Sequence, residues 1–440
     1  MFTWLFTKTP LTFLVQSLWR DEAFSYFLAK KNILEILILS AKDFSPPLYH
    51  LILHFWIKIF GGSEIALRSL SIVFFWATIY VVFLFLNDIF KLKLKKSFFY
   101  LLLFIINPLL TYYAFEVRMY SLFAFLSTLS FYTLFKKNST LYILSSILGL
   151  YTHYFMIFVI IGQFLFLTIN RKKSFSFPLL SFYWPIIAFV PWILLVVFNG
   201  NLPGSFWINK PSFQSVFGFL GIIYTGNESS FYVNNFLVNK INTNIFFLTV
   251  VLVIILIYGY FYHKKLLKKE RLIFQFVLIW GLIIPVTVGV LSFIKPVYFP
   301  RYLIFATIGF LFTVIFIIEK LPTLPRILLI IVLFILTVNY QRLEIEYKKK
   351  ADMRTVLAEI KAIAKENDSV YVSSELDFFT AQYYFEENKV YIWGKSYNEI
   401  PNYVGKVLIP KEKIASTLPF YPKKAYVLSP DGQYSIQAMY

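Results

Sequence analysis

The chain has 440 residues, of which 58% are apolar, 21% aromatic and only 15% charged. An ordinary soluble domain is about 45–50% apolar and about 25% charged, so this composition excludes a soluble globular protein. With 52 Phe and 31 Tyr against 16 Gly and 19 Pro, it also excludes disordered and collagen-like structure. Because the sequence has no cysteine, disulfides, thiolate metal sites and cysteine nucleophiles are excluded as well.

The formal net charge of +19 is concentrated in the apolar part of the chain. Residues 1–341 contain 28 basic and 10 acidic residues, whereas residues 342–440 contain 14 and 13. The basic residues form short clusters between apolar runs, for example at 91–96 and 264–271. Such clusters are typical of cytoplasmic loops, because basic loops resist translocation across a membrane. We therefore expect a membrane bilayer as partner and no nucleic acid.

Apolar segments of about the length needed to cross some 30 Å of hydrocarbon follow one another along the chain. They are 65–87, 97–115, 119–135, 140–153, 154–170, 175–198, 244–262, 272–294, 302–318 and 323–340. An interrupted apolar segment at 2–18 is marginal as an eleventh span, and residues 140–170 could instead form one long tilted helix. With the basic clusters in the cytoplasm, the predicted fold class is an all-α polytopic membrane protein with about 10–11 transmembrane helices, multi-pass in the plasma membrane.

The composition changes to polar and nearly neutral from residue 342 onward. Helical patterns alternate there with strand-like runs, which predicts a small α/β domain. The helical patterns are 353–367 and 378–386, and the strand-like runs are 369–373, 390–393, 406–409, 425–428 and 434–438. We therefore divide the chain into a transmembrane domain at 1–341, with its first extracytoplasmic loop at about 19–63, and an extracytoplasmic α/β domain at 342–440. This domain would serve as a lid or acceptor-binding platform, or as a stabilising appendage.

The transmembrane part contains ten acidic residues, which fall into three groups. Asp88, Glu270 and Glu319 lie beside basic clusters, where solvated ion pairs are expected. Glu35, Glu64 and Glu228 fall in outer loops and are expected to be solvated. The remaining four share the outer side with four basic residues: Asp21, Glu22, Asp43 and Glu116, with Arg20, Arg118, Lys295 and Arg301. Since charges at membrane depth are costly and usually functional, and arginine suits phosphate, this set predicts a carboxylate base beside an anion site.

Five motifs resemble those of a known family and occur in the same order. They are Trp19-Arg20-Asp21-Glu22, Asp43-Phe44-Ser45-Pro46-Pro47-Leu48, Glu116-Val117-Arg118-Met119-Tyr120, Tyr151-Thr152-His153-Tyr154 and Pro300-Arg301-Tyr302. The first resembles the Trp-x-Asp-Glu signature in the first extracytoplasmic loop of GT-C membrane glycosyltransferases, specifically the protein mannosyltransferase and aminoarabinose transferase-like family. The second is similar to that family's Asp-x-His-Pro-Pro-Leu motif, with Ser45 in place of the histidine.

The resemblance implies an inverting glycosyltransferase that moves a hexosyl or pentosyl group from a polyprenyl-phosphate donor to a hydroxyl acceptor at the outer face of the membrane. The acceptor would be a lipid, a glycan or a protein. Asp21 matches the family's catalytic aspartate and would act as general base. Glu22, grouped with it in the catalytic motif, would orient the first loop. Arg301, followed by Arg118 and Lys295, would bind the donor phosphate.

Several candidate residues and two other function classes complete the interpretation. Further site candidates are Asp43, Glu116, His153, Tyr120 and Tyr302. No cofactor is assigned, although Asp21 and Asp43 could hold a divalent cation. Asp21 and Glu22 would also suit the start of a helix, because acidic side chains are favoured there by the helix dipole. A transporter or flippase would be expected to show ionisable groups near mid-membrane and repeat symmetry, whereas a polysaccharide ligase or polymerase would use a similar lipid-linked donor.

Overall fold

The computed structural model describes residues 2–170, 175–199, 208, 210–211, 216–228 and 235–440. Its first helices are α1 (Phe2–Lys8), α2 (Thr12–Val15), α3 (Arg20–Ala29), α4 (Ile33–Lys42), α5 (Leu48–Phe60), α6 (Glu64–Asp88), α7 (Leu94–Ile105), α8 (Pro108–Ala114), α9 (Tyr120–Phe135), α10 (Ser139–Leu150), α11 (Met156–Asn170) and α12 (Leu180–Asn199). They are followed by α13 (Phe219–Thr225), α14 (Asn235–Tyr262), α15 (Lys268–Leu278), α16 (Ile284–Ile294), α17 (Ile304–Ile318), α18 (Thr323–Tyr347), α19 (Met353–Ile363) and α20 (Phe378–Tyr384). A π-helical turn, Ile279–Ile283, joins α15 to α16.

Six helical segments of the described chain are long and apolar enough to cross a membrane. They are Glu64–Asp88, Leu180–Asn199, Leu237–Lys265, Lys268–Ile294, Pro300–Ile318 and Thr323–Tyr347. Helices α7 and α8 add a seventh if counted together, although the chain bends by 71° between them. Asn107 caps α8 at this bend, where its side chain accepts a hydrogen bond from the Leu110 N–H. Pro108 fits the first turn of α8, because the N–H that proline lacks would have no acceptor within the helix at that position.

The three other predicted spans are real helices but short ones. Helices α9, α10 and α11 have 16, 12 and 15 residues. At about 1.5 Å per residue none of them exceeds about 24 Å, which is less than the hydrocarbon thickness of some 30 Å. By length and composition alone, the described chain thus has six or seven full-length spans and these three shorter apolar helices, against the ten or eleven transmembrane helices predicted. The single tilted helix considered for residues 140–170 is wrong, because α10 and α11 are separate helices.

Basic residues from several of the predicted cytoplasmic clusters form ion pairs with acidic residues at one end of the helical bundle. Lys96 Nζ lies 2.6 Å from a carboxylate oxygen of Glu319, and Lys320 Nζ lies 2.5 Å from Glu270. Asp88 likewise accepts from Lys136 at 2.9 Å. These contacts confirm the ion pairs predicted for the three acidic residues.

The residues after α18 form a small α/β domain around a five-stranded sheet. Its strands are β1 (Ser369–Val372), β2 (Val390–Trp393), β3 (Ile414–Ala415), β4 (Ala425–Leu428) and β5 (Tyr434–Gln437), in the spatial order β3-β2-β1-β4-β5. All neighbours are parallel except β4 and β5. Four of the five predicted strands are confirmed. Residues 406–409 are the exception: they follow Gly405, whose φ of +80° starts a 3₁₀ turn, and Pro410, which has no N–H for a ladder, comes next.

Helix α3 belongs to the core of this C-terminal domain. Ala23, Phe24 and Phe27 of α3 share a buried apolar cluster with Leu357 and Phe379 of the domain. Gly405 permits this close approach, since a Cβ at that position would lie 2.4 Å from Phe24 Cδ2. The domain is therefore packed on the helix that begins with Arg20 and Asp21 rather than attached by a linker alone.

Candidate active site

Asp21 lies between two arginines that come from distant parts of the chain. Its Oδ2 is 3.9 Å from Nη2 of Arg118 and 3.9 Å from Nη1 of Arg301. The Asp21 side chain is 42% exposed, whereas the two arginine side chains are 17% and 13% exposed. These distances are longer than hydrogen bonds, so the carboxylate stays accessible beside two fixed cations. The fold thus brings together the predicted base and the first two predicted phosphate-binding residues.

Glu228 holds Arg301 in place. Its carboxylate accepts from Arg301 Nε at 3.0 Å and from Arg301 Nη2 at 2.7 Å, a bidentate pair that leaves Nη1 directed at Asp21. Tyr113 also donates to Glu228 at 3.4 Å. The prediction that Glu228 is solvated is wrong: the residue is only 7% exposed, because the fold joins two segments that lie 73 positions apart in sequence.

A group of aromatic side chains lies beside Arg118 and Arg301. The Tyr302 ring lies 6.4 Å from the Tyr120 ring and 5.1 Å from the His153 ring, and His153 stacks on Phe123 at 4.8 Å. His153 Nδ1 accepts the Phe155 N–H at 3.1 Å, so a neutral imidazole carries its proton on Nε2. The structure therefore groups the predicted candidates Tyr120, His153 and Tyr302.

Asp43 lies at the end of α4 and is partly buried. The hydroxyl of Ser45, which occupies the position of the family's histidine, donates to Asp43 Oδ2 at 3.2 Å. Burial raises the pKa of Asp43 to about 7, with Arg118 opposing the rise and the charge of Asp21 adding to it. Asp43 consequently changes charge near neutral pH, in the electrostatic neighbourhood of Asp21 and Arg118.

Glu22 is fully buried, and its carboxylate is saturated by protein donors. Arg68 donates to it twice, at 2.9 and 2.8 Å, and Lys350 Nζ lies at 2.8 Å. The N–H groups of Trp19 and Val117 donate at 2.9 and 3.1 Å. Burial would raise the pKa of Glu22, but the two cations hold it at about 2. A carboxylate with no free lone pair cannot take a proton from an acceptor, which favours the predicted role of Glu22 in orienting the first loop.

Lys350 and Arg68 were not anticipated from the sequence. Lys350, in the connection between α18 and α19, also lies 3.5 Å from Glu116 Oε1, which accepts from Tyr112 at 3.1 Å. Burial raises the pKa of Glu116, with Lys350 opposing the rise. No local motif marks Lys350. Arg68 did carry a signal, since it is the one charged residue in the apolar segment 65–87.

The two other predicted basic residues are more exposed than Arg118 and Arg301. Lys295 is exposed at the end of α16. Arg20 Nε lies 3.5 Å from Asp377 Oδ1 of the C-terminal domain. Among the described residues, no group of three or more histidine, aspartate or glutamate side chains is placed to hold a metal ion. The cations of Arg118 and Arg301 beside Asp21 make the suggested Asp21–Asp43 pair a poor fit for a divalent metal.

The chain is similar in fold to two crystal structures of ArnT from Cupriavidus metallidurans. The apo state superimposes with a TM-score of 0.63 at 11% identity, covering 95% of this chain and 91% of that one. The structure bound to undecaprenyl phosphate gives 0.61 at 12% identity, covering 95% and 90%. No protein-family model and no curated protein sequence matches the chain. At this level of identity the likeness establishes the architecture: the chain has the GT-C glycosyltransferase fold.

Proposed function

We propose that the protein transfers a sugar from a polyprenyl-phosphate donor to a hydroxyl acceptor, with inversion at the anomeric carbon. The observation that carries the proposal is an accessible carboxylate, Asp21, fixed between the largely buried Arg118 and Arg301. The fold adds support, because one structure with the same architecture is that of ArnT bound to undecaprenyl phosphate.

The two arginines would bind the donor phosphate and stabilise it as it leaves. Negative charge on the phosphate grows while the bond between the anomeric carbon and the phosphate oxygen breaks. Cations that are already in place stabilise this charge more in the transition state than in the ground state, which lowers the barrier. Glu228 fixes Arg301, and Arg118 Nε is buried with no partner among the described residues, so it retains a donor for the phosphate.

Asp21 would act as the general base. A hydroxyl is a weak nucleophile, so its attack on the anomeric carbon requires that a nearby carboxylate take its proton. The hydroxyl oxygen forms the new glycosidic bond on the face opposite the phosphate, and the phosphate leaves with the bonding electron pair. Glu22, held by Arg68 and Lys350, would fix the first turn of α3 and with it the direction of the Asp21 side chain.

The basic clusters support a plasma-membrane orientation with this site outside. Lys96 and Lys320 lie at the end of the bundle where the ion pairs gather, and the positive-inside rule assigns that end to the cytoplasm. The domain formed by residues 342–440 would then be extracytoplasmic, as would the first loop at about 19–63.

The test is turnover of a panel of polyprenyl-phosphate sugars by the purified protein, followed by mass spectrometry. Asp21→Asn should lower transfer and donor hydrolysis by about 100-fold or more while donor binding stays nearly unchanged, because the amide keeps the shape but cannot take the proton. Asp88→Asn is the matched control, since Asp88 pairs with Lys136 at the other end of the bundle. If Asp21→Asn keeps more than half of the turnover, Asp21 only starts a helix and the mechanism is wrong.

A further inference from the structure

A cavity lies between the end of α3 and the C-terminal domain. It has a volume of about 570 Å³, within the range of about 300–1,000 Å³ that small-ligand pockets occupy. Phe27 of α3 and Phe379 of the domain line it, together with the side chains of Gln382 and Asn388.

The charge of this cavity is positive. Lys30, Lys31 and Lys413 line it against a single acid, Glu387. Lys30 Nζ lies 3.3 Å from Glu387, but the two side chains are 43% and 56% exposed, and such exposed pairs are weak enough to be exchanged for a ligand. Lys413 Nζ donates to the Asn388 carbonyl at 2.5 Å and lies 4.8 Å from the centre of the Tyr391 ring, which holds this ammonium group at the cavity.

The cavity and the proposed base lie at opposite ends of one helix. Residues 20, 24 and 27 share a face of α3, and Lys30 and Lys31 follow the end of the helix at Ala29. Along this face Arg20 lies 3.5 Å from Asp377, and the rings of Phe24 and Phe27 pack on Phe379 at 5.7 and 6.0 Å. From residue 21 to residue 30 the helix rises about 14 Å, at about 1.5 Å per residue.

We propose that this cavity binds an anionic group, a phosphate or a carboxylate, carried by a saccharide acceptor. The three lysines supply the charge complement, the exposed Asn388 supplies amide groups for sugar hydroxyls, and the two phenylalanine rings supply an apolar floor. The identification of the ligand as the acceptor rests on the proposed function, whereas the anion site itself does not.

Binding is measured by calorimetry on the full-length protein in neutral detergent. The probes are a hexose phosphate, a galacturonic acid trimer and, as the uncharged reference, maltotriose. The test variant is Lys31→Gln/Lys413→Gln, and the matched control is Lys361→Gln/Lys365→Gln, which removes the same charge from exposed positions of the same domain outside the cavity. We expect the affinity for at least one anionic probe to fall tenfold or more in the test variant and to stay within twofold in the control.

Three results would overturn the proposal. Equal losses in both variants would mean diffuse attraction by a chain of net charge +19. Maltotriose binding as tightly as the anionic sugars would mean that charge is not recognised. Displacement of the sugar anion by phosphatidylglycerol in the micelle would mean that the cavity recognises a lipid headgroup.

Donor hydrolysis, measured in the same preparations, separates this proposal from the proposed function. It should be unchanged in Lys31→Gln/Lys413→Gln, because both lysines line the cavity beyond the C-terminal end of α3, whereas Asp21 lies in its first turn. If the wild type turns over no donor but shows anion binding that the test variant loses, the glycosyltransferase proposal and the acceptor assignment fail together, and the anion site stands. If donor turnover is present and the anionic probes do not bind, the cavity proposal alone fails.

Discussion

Arg301 cannot be removed without a cost to folding, because the same residue neutralises a buried acid. The side chains of Arg301 and Glu228 are 13% and 6% exposed, and they form a bidentate pair at 2.7 and 3.0 Å. Removing one partner of a buried pair leaves an uncompensated charge and typically costs about 3–5 kcal/mol. Arg301→Gln should therefore lower both the thermal stability and the affinity for the donor.

A double substitution separates these two effects. In Arg301→Gln/Glu228→Gln neither position carries an uncompensated charge, and two amides can still hydrogen-bond, so most of the lost stability should return. The guanidinium group that binds the phosphate is still missing from this variant. A charged hydrogen bond is worth about 1.5–3 kcal/mol, which corresponds to roughly 10–100-fold in the dissociation constant. The double variant should therefore be nearly as stable as wild type and still bind the donor roughly 10–100-fold more weakly.

The assay combines thermal unfolding in detergent with titration of a short-chain polyprenyl-phosphate sugar. Lys320→Gln/Glu270→Gln is the matched control, because this ion pair lies at the opposite end of the bundle and is 25% and 32% exposed. It should leave donor affinity unchanged. Equal dissociation constants for wild type and the Arg301→Gln/Glu228→Gln variant would refute the reasoning, since Arg301 would then serve only the fold and the phosphate would bind elsewhere.

Three further predictions follow from the same site. Because Asp43 has a pKa of about 7, its ionised form should compete with the donor phosphate for Arg118, so donor affinity should weaken as pH rises through about 7. Asp43→Asn should abolish this pH dependence. If the variant kept the transition with an unchanged midpoint, Asp43 would not be the group that titrates. Lys350→Met should reduce turnover about tenfold while donor affinity changes little, because Glu22 loses one of its two cations. Lys350→Arg should restore part of the turnover. A change in melting temperature with unchanged turnover would mean that Lys350 only stabilises the fold. In intact cells an impermeant maleimide should label Asn367→Cys but not Lys265→Cys, and the reverse pattern would invert the proposed orientation.

Local sequence determinants were enough to predict part of the site. Asp21 and Glu22 fall in the first turn of α3, where the helix dipole favours acids, and the motif that contains them marks the position. The ion pairs of Glu270 and Glu319 were equally accessible to prediction, because their partners lie in basic clusters at the ends of neighbouring apolar segments.

Long-range pairing decides the rest, and the sequence alone does not encode it in any local pattern. Glu228 meets Arg301 across 73 positions, and Lys350 meets Glu22 across 328. Glu64 was likewise expected in solvent, yet it pairs with Arg354 of the C-terminal domain at 2.5 Å. In each case the two partners meet only when distant segments of the chain pack together. Packing buries an acidic residue that the sequence places in a solvated loop, and a buried charge requires an ion-pair partner.

Three contacts join the C-terminal domain to residues close in sequence to the proposed base or to the ends of the first loop. Ser17 donates to Asp352 at 3.0 Å, and Arg354 pairs with Glu64 at 2.5 Å, so the start of the domain is attached to both flanks of the first loop. Lys350, which precedes these residues, reaches Glu22 next to Asp21. Since α3 also contributes to the core of the domain, a displacement of the domain cannot leave the Asp21 carboxylate in place. If the domain recognises the acceptor as we propose, variants at this junction should therefore change turnover and acceptor affinity together.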